Sequence, residues 1–374
     1  MELNRKTSDP VQWTPYLIGK CIIRALYVLI NNLYCIPAYV VWMFCFSPLR
    51  FIRPDLYWYI EGVLFKWLLA MVTCWMTTAG YRVVEVGENV SPAYNEEALV
   101  IVNHQSTADV PTMMHALQHK GKAVRHMMWI QDLIFKYTNF GVVSASHGDF
   151  FILQGKEHRN TMLDKLQEHI EKTYLTRDRK WILLFPEGGF LRKRRQGSQI
   201  FGQKNNFPIL EHVTLPRVGA MKTVLTTLSK ETLKKKSTQT PGQASKHVKW
   251  VIDITIGYPD AKPLDLQTVI AGQRPTCDVT LYYRLFPISV IPTDTEGLTQ
   301  WMYRRFEEKE QLLDTFYITG MFPDLPNTGS IGKRLPGPKR IEFSPLYFLS
   351  IHVFFILSTF IQWAVFLGIW RSLF

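Results

Sequence analysis

From Phe343 to Trp370 the chain carries no Asp, Glu, Lys or Arg. At about 1.5 Å per residue a helix of that length crosses a hydrocarbon core about 30 Å thick. Residues 343–374 are therefore expected to form a C-terminal transmembrane segment. Lys333, Arg334, Lys339 and Arg340 precede it, in a stretch rich in proline and glycine that reads as a linker over 326–342. Basic residues on that flank predict that it stays in the cytosol, with the C-terminus across the membrane. A second stretch, between Arg24 and Arg50, is also uncharged, but Asn31, Asn32 and Pro37 interrupt it, and a third, Trp67 to Tyr81, is short for a span. Residues 16–80 are read as a helical hairpin that dips into one leaflet, with a true span as the alternative, inside an N-terminal membrane-associated unit over 1–82. The start MELNRKTSDP lacks the form of a cleavable signal peptide.

Apolar and aromatic residues gather at the two ends. Aromatic residues make up 13% of the chain and include 11 tryptophans, which agrees with a lipid setting. The formal net charge of +12 suits an anionic membrane face, an anionic substrate or nucleic acid. No nucleic-acid-binding module is recognisable around the basic residues, so no nucleic-acid partner is expected. Cys21, Cys35, Cys45 and Cys74 fall in apolar stretches and Cys277 stands alone, so the five read as buried free thiols and not as a disulfide framework or zinc site. The length supports one large domain or two small ones without a staple.

Between these ends, residues 83–325 look like one folded domain. Ala98–Val102, Trp181–Phe185 and 248–256 read as strands, and 110–118, 160–174 and 299–315 as helices. Strands alternating with helices imply an α/β fold. The lysine-rich polar run over about 228–247 has no apolar period and is expected to be a disordered surface loop.

Inside this domain NHQSTADV, residues 103–110, sets His104 five positions before Asp109, directly after a strand. Five residues turn a helix by about 500°, leaving the two side chains about 140° apart. They meet only if His104 lies in the loop and Asp109 in the first helical turn. So placed, an imidazole with a carboxylate behind it is a general base with its orienting partner. Ser106 and Asp109 read equally well as a helix-capping box. No GxSxG nucleophile elbow occurs, so direct attack by an acceptor hydroxyl is favoured over a covalent intermediate.

Three further blocks follow. In FPEGGF (185–190) the glycines Gly188 and Gly189 let backbone approach a ligand, while Glu187 is placed to bind a hydroxyl or hold a cation. The run Arg192 to Arg195 after it reads as a solvated face or as a phosphate site using Arg192 and Arg194. HGDFFI (147–152) supplies Gly148, Phe151 and Ile152, and VTLPRVG (213–219) supplies Arg217. A metal cluster of His104, Asp109, His147 and Asp149 is a competing reading, although these residues have no recognised metal spacing.

In this order the four blocks resemble the glycerolipid acyltransferases, over roughly residues 98–322. FPEGGF with LRKRR, TLPR and RRFEEKEQLLDTFYITGMFP bring the chain nearest to the lysophosphatidylglycerol acyltransferase branch. The resemblance implies a glycerolipid acyltransferase-type αβ domain in which His104 and Asp109 are catalytic. Gly148, Phe151, Ile152, Glu187, Gly188, Arg192, Arg194 and Arg217 would bind substrate. It further implies acyl-CoA as co-substrate, a lysophospholipid acceptor, a lipid bilayer as partner, and neither cofactor nor metal. The expected place is the endoplasmic reticulum membrane with the catalytic domain facing the cytosol; the oligomeric state is left open. Rival readings are transfer to lysophosphatidic acid, glycerol phosphate or monoacylglycerol, a metal-dependent lipid phosphodiesterase, and a membrane scaffold without catalysis. Two positions depart from the family pattern: Gly189 stands where threonine is usual, and Gln154 where an arginine is expected, which leaves Lys156 as a substitute cation.

Overall fold

The computed structural model describes residues 12–155, 157–229, 247–324 and 329–374. Lys156 and nearly all of the lysine-rich run lie outside the described residues. Eight strands form one mixed sheet: Tyr81–Gly87 (β1), Ala98–Val102 (β2), Met127–Asp132 (β3), Phe150–Ile152 (β4), Trp181–Leu184 (β5), Trp250–Gly257 (β6), Cys277–Pro287 (β7) and Lys339–Arg340 (β8). Their spatial order is β4-β3-β5-β2-β6-β7-β1-β8. The first five run parallel, β6 and β7 are antiparallel, β7 and β1 are parallel again, and β8 closes the edge antiparallel to β1. The described helices are Pro15–Cys45 (α1), Leu49–Ile52 (α2), Pro54–Ala79 (α3), Asp109–Leu117 (α4), Asn139–His147 (α5), Arg159–His169 (α6), Leu191–Lys204 (α7), Gly219–Thr227 (α8), Leu266–Ala271 (α9), Thr295–Thr319 (α10) and Pro345–Leu373 (α11).

Every residue of β2 is buried, as expected for a central parallel strand covered on both faces. Because side chains alternate across a strand, Ala98, Val100 and Val102 join a core shared with α1, α3, α4 and α11, while Leu99 and Ile101 join a second core with α6, α8 and α10. The membrane hairpin is thus not an appendage. It shares its core with the catalytic sheet, and the boundary drawn at residue 82 falls inside β1. The linker over 326–342 is likewise partly structured, since Lys339 and Arg340 pair with Glu85 and Val84. Strands β1, β3 and β7 were not foreseen, and the helix expected over 160–174 changes to a π turn after His169.

Among the described residues three helices, α1, α3 and α11, are long and apolar enough to cross a membrane. In α1 the residues expected to interrupt the helix do not. Asn31 Oδ1 accepts from Trp75 Nε1 at 3.1 Å, and Asn32 Nδ2 donates back to the Val28 carbonyl at 2.8 Å, so the polar groups are satisfied inside the bundle. Helix α3 touches the domain at two well-separated points. Glu61 Oε1 receives His147 Nδ1 at 2.7 Å, and Ala79 runs through Gly80 into β1. Those two points are about 27 Å apart along the helix, so α3 lies against the domain for most of its length. The thiols are less uniformly buried than expected: Cys35 and Cys74 are buried, Cys21 and Cys277 half-buried and Cys45 exposed, and all five are free.

Candidate active site

The carboxyl ends of β2, β3, β4 and β5 point to one edge, which is where open α/β sheets bind ligands. His104 follows β2, Gln154 follows β4, Glu187 follows β5 and Tyr258 follows β6, so chain segments far apart in sequence meet there. His104 lies in the loop after its strand and Asp109 opens α4, the arrangement that the helical geometry required. His104 Nδ1 and Asp109 Oδ2 are 2.8 Å apart. The same oxygen accepts the Ser106 amide at 2.9 Å, and Asp109 Oδ1 accepts the Tyr258 hydroxyl at 2.7 Å. Asp109 therefore ties the Ser106 turn and the histidine together from the first position of α4; the reciprocal half of a capping box is not made, because Ser106 Oγ accepts from the Ala108 amide instead.

A carboxylate that already accepts two other hydrogen bonds is an acceptor toward the ring as well, so Nδ1 carries the proton and Nε2 offers its lone pair. No partner for Nε2 occurs among the described residues. The His104 side chain keeps 10% of its surface open while Asp109 keeps none, so a substrate reaches the ring and not the carboxylate. The ring is held in place on two sides, stacked on Phe185 at 4.1 Å and edge-on to Phe190 at 4.5 Å.

Glu187 sits behind this pair. Its Oε1 accepts the His104 amide at 2.6 Å, and its Oε2 accepts both the amide and the hydroxyl of Thr214, at 2.9 and 2.8 Å. Burial pushes the carboxyl up to about 8, against the pull of these donors. Both oxygens are spent on protein groups, so Glu187 ties the first, third and fourth sequence blocks together from beneath. The His104 carbonyl accepts the Leu191 amide at 2.8 Å, which fixes the same loop to the start of α7.

Gly188 (φ +67°) and Gly189 (φ +153°) adopt backbone that favours glycine. A side chain at Gly188 would come within 3.0 Å of the Arg217 guanidinium, and one at Gly189 within 2.8 Å of Arg194 Nε. The space over this turn thus belongs to two arginines, and a threonine at 189 would meet the Arg194 side chain. Arg192, in the same basic run, is exposed, and Arg195 faces Glu211 at 3.8 Å. Arg194 and Arg217 are brought to the site; Arg192 is not. We expect Arg194→Ala to raise the Michaelis constant for one substrate about tenfold, the worth of one charge-assisted contact, and Arg192→Ala to have the smaller effect. Initial-rate kinetics on both substrates would check the contrast.

The second block is divided by β4. Gly148 caps α5 at the end of β4 away from His104, packed on Thr173 and Arg177, while Phe151 and Ile152 are half-buried in the edge strand beside Gln131 and Asp132 and lead to Gln154 at the carboxyl end. Both ring nitrogens of His147 face acceptors within a separate buried cluster: Glu61 Oε1 beside Nδ1, and the Met127 carbonyl beside Nε2 at 2.8 Å, with Arg179 also on Glu61 at 3.2 Å. Burial and the Arg179 charge hold that imidazole down at about 4. The four residues do not join in one metal-binding group, because both ring nitrogens of His147 are committed, to Glu61 and to the Met127 carbonyl, in a cluster apart from His104. Among the described residues no three His, Cys, Asp or Glu side chains gather to hold a metal ion. Sequence reasoning missed Tyr258 and Thr214; the only available signal for Tyr258 was its place directly after a strand.

The acyltransferase family profile matches residues 82–226, and the profile of the acyltransferase C-terminus matches 269–355. Acyl-CoA:lysophosphatidylglycerol acyltransferase 1 of Homo sapiens is 45% identical over 374 residues, covering 98% of this chain and 99% of its own. The chain belongs to the glycerolipid acyltransferase family. The Mus musculus protein of the same name is 48% identical over 323 residues, 85% of this chain and 87% of its own. A putative 1-acyl-sn-glycerol-3-phosphate acyltransferase of Caenorhabditis elegans is 28% identical over 330 residues, 87% of this chain and 83% of its own. In this acyltransferase the matched regions include β1 to α8, and hence His104, Asp109, Gln154, Glu187, Arg194 and Arg217.

Proposed function

We propose that this acyltransferase moves a fatty acyl group from acyl-CoA to a free glycerol hydroxyl of a lysophospholipid, either lysophosphatidylglycerol or a related lysolipid such as lysophosphatidylethanolamine. The observation that carries the reading is the reachable Nε2 of a histidine whose other nitrogen is fixed by a sealed carboxylate. The names of the human and mouse relatives support the choice of donor and acceptor. His104 Nε2 takes the proton of the acceptor hydroxyl as its oxygen attacks the thioester carbonyl. The tetrahedral intermediate collapses, the carbon–sulfur bond breaks, and the imidazolium returns the proton to the coenzyme A thiolate. Asp109 stabilises the imidazolium between these steps without changing its own protonation. Neither cofactor nor metal enters the scheme.

The test is a mass-spectrometric panel: purified protein, a set of acyl-CoAs, and lysophosphatidylglycerol, lysophosphatidylethanolamine, lysophosphatidic acid and monoacylglycerol as acceptors. Diacyl product from the first two, in preference to the others, is the expected result. Preference for lysophosphatidic acid or monoacylglycerol would reassign the acceptor, and activity abolished by a chelator would sink the metal-free mechanism.

We further propose that the enzyme sits in the endoplasmic reticulum membrane with its domain in the cytosol, where acyl-CoA is supplied. Two features support the orientation. Lys339 and Arg340 are part of the catalytic sheet, and α11 begins only five positions after Arg340. The domain therefore shares a side of the membrane with the basic N-terminal flank of α11, which the positive-inside rule assigns to the cytosol. Helix α3 lies along the domain, which favours a hairpin that re-enters one leaflet. A glycosylation tag after Phe374 should be modified, whereas a cysteine at the hairpin tip, Arg53→Cys, should resist an impermeant thiol reagent applied from the lumen. An unmodified tag would contradict a single C-terminal span; luminal labelling of the tip would show that the hairpin crosses.

A further inference from the structure

Gln154 stands where the family pattern expects an arginine, and the structure shows what this amide does. Its Oε1 accepts from Arg194 Nη2 and from Arg217 Nη1, the latter at 3.2 Å, while its Nε2 donates to Asp132 Oδ2 at 3.0 Å. Three chain segments, after β4, in α7 and before α8, are joined at one side chain. Among the described residues neither guanidinium lies within ion-pair distance of a carboxylate, and each spends one hydrogen bond on Gln154, so most of its N–H donors stay unspent. Burial and the nearby charges of Arg194 and Arg159 lower the Arg217 pKa, the mark of a cation group lacking its anion. Both arginines also press on the Gly188–Gly189 turn, one residue from the glutamate that holds His104.

We infer that Gln154 sets the charge class of the acyl acceptor: it clamps Arg194 and Arg217 into a two-guanidinium cradle suited to the single charge of a phosphodiester headgroup. The inference rests on the acyltransferase reading of the site. A phosphomonoester carries about 1.5 to 2 negative charges near neutral pH, and an arginine at 154 would add a further guanidinium to meet the second charge. A neutral amide adds none, and its link to Asp132 places a further acid behind the cradle, which penalises a dianion more than a monoanion.

The experiment uses the full chain in phosphatidylcholine vesicles with palmitoyl-CoA and either lysophosphatidylglycerol or lysophosphatidic acid. In Gln154→Arg the ratio of kcat/KM for the monoester to that for the diester should rise about tenfold or more, the scale of one charge-assisted hydrogen bond. In Gln154→Leu, which leaves the arginines unclamped, KM for lysophosphatidylglycerol should rise about tenfold with kcat little changed. The leucine variant decides the matter if the arginine variant does not fold. An unchanged acceptor ratio in a folded Gln154→Arg overturns the inference, as does a KM change confined to palmitoyl-CoA, which would mean that the cradle holds a coenzyme A phosphate. Wild-type protein that acylates neither lysolipid would instead overturn the proposed acceptor, a result separable from either of these.

Discussion

His104→Ala is expected to lose nearly all acyl transfer, by about 10² to 10⁴ in kcat, while the protein still folds and enters membranes. The size follows from the loss of the one group placed to take the acceptor's proton. Little stability should be lost with it, because the contacts that fix the loop are made by the backbone: the His104 amide to Glu187 and the His104 carbonyl to the Leu191 amide. The ring itself contributes its packing on Phe185 and Phe190, worth about 1 kcal/mol beyond burial if it behaves like other aromatic pairs. A steady-state assay beside a thermal melt checks both halves. Retention of more than about a tenth of wild-type turnover, far above the general-base scale, would remove His104 from the role.

The contrast between His104 and Glu187 shows which parts of the site were legible in the sequence. The His104–Asp109 contact spans five residues, so helical geometry alone told how the two could meet. Glu187 was read as a ligand for a glycerol hydroxyl or a basic side chain, yet both of its oxygens go to His104 and Thr214, at separations of 83 and 27 residues. No local pattern encodes such pairings; they follow from the order in which β2 and β5 lie side by side. The same cause hid β1, β7 and β8. The strands β1 and β7 pair across nearly 200 residues, and β8 is a two-residue edge whose glycine- and proline-rich surroundings read as a linker. The buried runs of β2 and β5 were legible because a central parallel strand is apolar on both faces, and β6 because its β-branched residues alternate. In HGDFFI the order of residues suggested a substrate site, but His147 answers to Glu61 in α3, a partner supplied by the membrane hairpin.

Asp109 offers the second large effect and a way to separate its two duties. Asp109→Ala removes the acceptor for the ring, for the Ser106 amide and for the Tyr258 hydroxyl together, all buried or half-buried. Each orphaned group costs about 1 to 3 kcal/mol, so a marked fall in melting temperature should accompany the loss of turnover. Asp109→Asn is different. The Tyr258 hydroxyl rotates and can accept as well as donate, so the amide NH₂ can face Tyr258 while its oxygen keeps the Ser106 amide and His104 Nδ1. That orientation gives one amide N–H to the Tyr258 hydroxyl, and the tautomer of His104 survives. Only the charge opposite the imidazolium is lost, worth about 1.5 to 3 kcal/mol for a hydrogen bond to a charged group, or roughly 10- to 150-fold in kcat. Melting should stay close to wild type. Adding Tyr258→Phe removes the hydroxyl that selects this orientation; an amide free to flip would donate to Nδ1, force the proton onto Nε2 and deepen the defect toward the roughly 10⁴-fold loss of a wrong tautomer. Turnover per folded molecule in Asp109→Asn, Asp109→Ala and the double variant distinguishes these terms. Normal turnover in Asp109→Asn with lowered stability would reduce Asp109 to a helix cap and return the search for the partner of His104 to other residues.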